Sequence, residues 1–161
     1  VTTLDDAVAM VELYRRRWAV EQVFRTLKSR GLAIEDSFIA EGDALENLAA
    51  TALIAAIRVM QCVHARGQAG ALIPAARVFR PADMPVLKAL VRSLEGKTLK
   101  QKNPFPPETL AWATWVIARL GGWKGYASER PPGPITMHRG FERFDAIVIG
   151  FALAQPRPPG N

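Results

Sequence analysis

One cysteine in 161 residues excludes an intrachain disulfide, and Cys62 stands in an apolar helical stretch where an inert buried thiol is expected. Only two histidines are present, His64 and His138, at no ligand-like spacing, so a zinc site is not expected. Long apolar runs are missing too. The longest, Leu48 to Ile57 with Thr51 interrupting, is too short to span a membrane and ends at Arg58. The chain opens at Val1, directly before a helix signal and with no signal-peptide pattern, which predicts a piece of a longer protein. Acid is the scarcer charge: 15 Asp and Glu against 21 Lys and Arg leave a net charge of +6 and a pI near 10.0. That balance suits a polyanionic partner, and by itself does not separate nucleic acid from an anionic membrane.

The distribution of charge is more informative than its sum. Between Tyr14 and Arg30 six cations (Arg15, Arg16, Arg17, Arg25, Lys28, Arg30) face one acid, Glu21. At about 100° per residue, Tyr14, Arg17, Glu21, Arg25 and Lys28 fall within roughly 80° of one helix face, with Trp18 at its edge. Solvated faces usually pair their charges. A stripe of three cations and a phenol around one carboxylate can instead grip a phosphodiester, with Glu21 as a ligand for a divalent metal. A second basic cluster is Lys97, Lys100 and Lys102.

Five helices and little or no sheet are predicted, an all-α chain. The first spans about Leu4 to Ser29, capped by Thr3 with Asp6 three residues on and stopped by Gly31. On it Trp18 is expected to anchor the helix to the core, with a stacking role as the alternative. A connector, Leu32 to Gly42, has room for a short extended stretch at Ala33–Glu35 and Ser37–Ile39. The second helix starts at Asp43, paired with Glu46, and runs to about Arg66 as an alanine-rich core helix. Gly67 to Arg80 reads as a connector, and a short third helix follows Asp83 with Pro85 in its first turn. After a basic, proline-marked linker the fourth helix begins near Glu108, with Leu110, Ala113, Val116, Ile117 and Leu120 on one face and Gly121-Gly122 at its end. Trp112 and Trp115 are expected to pack. The last helix covers about Thr136 to Ala154, and the proline-rich tail from Gln155 to Asn161 is expected to be disordered.

The spacing Tyr14-x2-Arg17-x3-Glu21-x6-Lys28 resembles the Tyr-Arg-Glu-Lys signature of bacterial DDE transposases of the insertion sequence four family, the transposon five type. Trp18 and Phe24 agree with it. Leu110-Ala111-Trp112 and Ile117 to Trp123, with Gly140-Phe141 and the last apolar helix, look like that family's C-terminal dimerisation region. The resemblance implies that Glu21 is the third catalytic carboxylate and a metal ligand, the Mg2+ (or Mn2+) being held by the complete enzyme and not by this chain alone. It implies that Tyr14, Arg17 and Lys28 hold the phosphates of the transposon end, near a flipped base, with Arg25 as a further DNA contact outside the signature. Residues 1–66 would close the RNase H-like catalytic domain, 67–107 connect, and 108–161 form a helical homodimerisation region. A cytoplasmic, nucleoid-associated bacterial location and no membrane partner follow from the same likeness. The other two carboxylates of that family lie on strands, and nothing here reads as a sheet, so the chain alone should not cut DNA. The alternative is a non-catalytic basic helical module that binds DNA or inhibits transposition by pairing with a transposase.

Overall fold

The structure is a computed structural model that describes residues 3–28, 34–39, 41–126 and 128–155. Among them are five α-helices and no strand, so the fold is all-α. These are α1 (Leu4–Lys28), α2 (Gly42–Ala65), α3 (Met84–Leu94), α4 (Leu110–Leu120) and α5 (Pro134–Ala154). Ser29, Arg30, the Gly31 stop and the tail beyond Gln155 lie outside the described residues. The chain divides into two compact units, residues 1–60 and 61–161.

In the first unit α1 begins where its cap dictates. Thr3 Oγ1 accepts the Asp6 N–H and Asp6 Oδ2 accepts the Thr3 N–H, both at 3.2 Å, so two otherwise orphaned donors are satisfied reciprocally. Asp5 and Asp6 in the first turn and Arg25 and Lys28 in the last oppose the helix dipole with the right signs. Leu27, Ala52 and Ala56 form a small core with Val23 packed against it. Thr26 is buried beside them, donating to the Gln22 carbonyl at 2.9 Å and reaching Met60 Sδ at 3.6 Å.

Two expectations change here. Ile34–Asp36 is a 3-10 turn rather than an extended segment, and helix α2 starts at Gly42, one residue before the expected Asp43, which puts Asp43 in its first turn. The Leu45 N–H donates to the Glu41 carbonyl. Taken whole, α2 is long and apolar enough to cross a membrane by length and composition, which the longest uninterrupted run did not suggest. Its buried positions Ala52, Ala56, Val59, Met60 and Val63 recur at three and four residues, as on a helix with one face in protein.

The second unit is built around α4. Residues 110–118 are all buried, so this helix is enclosed on every side rather than along one face. It is packed by α3, by α5 and by the 3-10 turns Gln68–Leu72 and Ala75–Arg77. It starts two residues later than expected: Glu108 takes a left-handed backbone (φ 66), and Thr109 caps, its hydroxyl accepting the Trp112 N–H. Helix α5 lies close enough to α4 that a Cβ on Gly140 would collide with the Ile117 carbonyl, and one on Gly121 with the Thr136 carbonyl. Phe79 stacks on Phe141 (5.8 Å) and meets Phe144 edge-on (5.7 Å). The buried Asp83 carboxylate accepts from the Arg80 backbone N–H at 2.9 Å and from its guanidinium at 3.0 Å. That hydrogen bond, and then the Asp83 charge, hold the Arg80 guanidinium above its ordinary pKa. Cys62 is buried, as its apolar surroundings imply.

Candidate nucleic-acid interface

The side of α1 away from its core carries the basic stripe. With about 100° between successive residues, Val23, Thr26 and Leu27 point roughly opposite to Tyr14, Arg17, Glu21, Arg25 and Lys28. Burying the first group therefore exposes the second, and all five side chains of the stripe are open to solvent. Trp18 and Phe24 flank the stripe on its two sides, each 55 % exposed. Trp18 is thus not the core anchor expected of it: its position on the helix faces away from Ala52 and Ala56. Exposed aromatic rings beside cations are a surface that nucleic acid can use, through stacking and phosphate contacts together.

Two of the cations have carboxylate neighbours. Arg17 Nε stands 4.0 Å from Glu21 Oε1, a loose i,i+4 pair. Lys28 Nζ is 2.7 Å from Glu35 Oε1 on the 3-10 turn after α1. A further pair, Arg15 with Glu12 at 2.8 Å, lies outside the stripe. Such exposed pairs are worth about 0–1 kcal/mol each, so an incoming phosphate can displace them. The Glu35 contact is invisible in a helical projection of α1, because Glu35 lies outside that helix, on the 3-10 turn Ile34–Asp36.

The arrangement suits phosphate oxygens: Arg17 offers a planar fork of donors, Lys28 a compact ammonium and Tyr14 a hydroxyl. It does not by itself suit a divalent cation. Glu21 is the single carboxylate of the stripe, and among the described residues no three His, Cys, Asp or Glu side chains converge as metal ligands. His138 is 3.8 Å from Glu142, and His64 is exposed with no such neighbour among the described residues.

Residues 1–58, which hold α1 and most of α2, match the family model of the transposase DDE domain. Such domains generally use divalent metal ions and act on DNA. The match supports a transposase-related function for the segment that carries Tyr14, Arg17, Glu21, Arg25 and Lys28.

Proposed function

We propose that this chain is the C-terminal portion of a cut-and-paste DDE transposase of the insertion sequence four family. Helix α1 supplies the third catalytic carboxylate, Glu21, and the phosphate contacts of Tyr14, Arg17, Arg25 and Lys28. The observation that carries the reading is the coincidence of the family match over residues 1–58 with one solvent-exposed helix face bearing that spacing. Each cation would hold a backbone oxygen at the transposon end, fixing the strand while the acid works beside it.

The upper part of α1 supports the same reading. Leu13 and Val20, about 20° apart on one side of α1, each expose more than half of their surface, which is costly for apolar side chains in water. A catalytic sheet packed on that side would cover them and bring the two further carboxylates that a two-metal site requires. Residues 1–66 then belong to the catalytic domain, 67–107 to a connector, and 108–161 to a dimerisation region. In that last region Phe141 and Phe144 are consumed by the core, while Ile147, Ile149, Phe151 and Leu153 remain on the surface. Gly140 serves α4 within the chain. Gly150 has open space where its Cβ would be, so the last turns of α5 are the surface available for a second copy.

Replacing Glu21 with Gln tests the assignment. In a complete transposase carrying this segment, E21Q should abolish strand cleavage and keep binding to the transposon end. Full cleavage by that variant would remove Glu21 from the acidic set and favour the non-catalytic DNA-binding module, which needs the cations alone.

A further inference from the structure

The second basic cluster acquires a setting in the second unit that its sequence did not suggest. Lys100 belongs to the 3-10 turn Leu99–Gln101, and Lys102 follows it. Asn103 ties this segment down. Its backbone N–H donates to Glu95 Oε1 (3.0 Å), its Nδ2 donates to the Trp112 carbonyl (3.0 Å), and its Oδ1 accepts the Phe105 N–H (3.2 Å). Opposite, the Arg119 guanidinium donates to the carbonyls of Leu94 (3.1 Å), Trp123 (3.4 Å) and Lys124, fixing the loop after α4. Between these two pinned segments lies a cavity of about 610 Å³, walled by Lys100, Lys102, Phe105, Trp115, Trp123 and Tyr126. An adjoining chamber of about 200 Å³ shares the four aromatic residues and adds Thr114.

The lining identifies what this space accepts. Lys100 and Lys102 are exposed at the wall and form no ion pair among the described residues. Aromatic walls and two cations match a nucleobase with its phosphate, and 610 Å³ lies within the ~300–1,000 Å³ of ligand pockets. A base inside a duplex cannot enter a concave pocket, whereas an unpaired one can. Glu129, on the smaller chamber, is occupied by the Lys124 N–H at 2.9 Å, and Arg66 donates to the Pro132 carbonyl at 2.9 Å.

We propose that this cavity holds an unpaired nucleobase of a single-stranded nucleic acid, with the adjoining phosphate against Lys100 and Lys102. The site uses no residue of α1 and stands apart from the transposase reading. The test is fluorescence anisotropy of a labelled ten-nucleotide oligothymidylate, on an Arg17→Ala/Lys28→Ala background that removes the stripe's contribution. Trp123→Ala should weaken binding about tenfold, in line with the roughly 1–3 kcal/mol of a base–aromatic stack. Lys100→Glu/Lys102→Glu, which alters only exposed side chains, should weaken it and flatten its salt dependence. Unchanged affinity in both variants would overturn the assignment. So would equal affinity for thymidine monophosphate, or displacement of the oligonucleotide by a decaproline peptide with no loss in the lysine variant, which would make the cavity a peptide groove.

Discussion

Lys28 is claimed by two anions: the Glu35 carboxylate at 2.7 Å and, in the proposed complex, a phosphate. Glu35 therefore acts against DNA binding, both by occupying the ammonium and by adding negative charge beside the stripe. Glu35→Gln should raise duplex affinity two- to threefold, about 0.5 kcal/mol, the scale of an exposed pair. An anisotropy titration at fixed salt would show it, and a loss of affinity would mean that Glu35 orders Lys28 for its task. Glu21 has the opposite character. It is exposed and loosely paired with Arg17, so Glu21→Gln should change unfolding stability by no more than about half a kcal/mol in a urea titration. The exposure of these side chains was legible from their spacing, since the face opposite Val23, Thr26 and Leu27 must be open. The role of Glu35 was not, because contacts to residues outside the helix follow no helical period. Trp18 misled for a related reason: size and apolarity suggest burial, while its angular position on α1 decides otherwise.

Among the elements, α1 and α4 show what a hydrophobic pattern can and cannot settle. Cap residues and periodicity gave α1 its start at Leu4 and α5 its end at Ala154. For α4 the apolar face suggested one-sided packing with Trp112 and Trp115 packed too, as they are, yet Thr114 and Ala118 are buried as well, because 3-10 turns from residues 68–77 pack on the helix. Those turns carry no sequence period. Gly140 illustrates how packing overrides intrinsic preference. Gly→Ala in a helix interior normally gains about 1 kcal/mol, but here the added methyl would strike the Ile117 carbonyl. Gly140→Ala should instead destabilise the protein by about 1–3 kcal/mol, the usual range for overpacking. Gly150→Ala, with open space around it, should stabilise. Chemical denaturation of the two variants side by side would reveal the difference in sign, and stabilisation by both would mean that α4 and α5 are not in close contact.

For the molecule as a whole, the all-α class and the stripe were readable in advance, whereas the cavity of the second unit arises from segments far apart in sequence, Arg66 and Tyr126 among them. The proposed pairing of two copies belongs at this scale. Phe151 is partly exposed on the last turns of α5, so Phe151→Glu should leave the fold intact and convert a dimer to a monomer in analytical ultracentrifugation. A wild-type monomer at high concentration would remove self-association by this chain, and unfolding of the variant would place Phe151 in the core. The most direct test of the phosphate clamp is the salt dependence of duplex binding. Each phosphate contact contributes about 0.9 to the slope of log Kobs against log salt concentration, so Arg17→Ala/Lys28→Ala should reduce the wild-type slope by about 1.8 and lower affinity for all sequences alike. An unchanged slope in the double variant would contradict the assignment of these two residues to the DNA backbone.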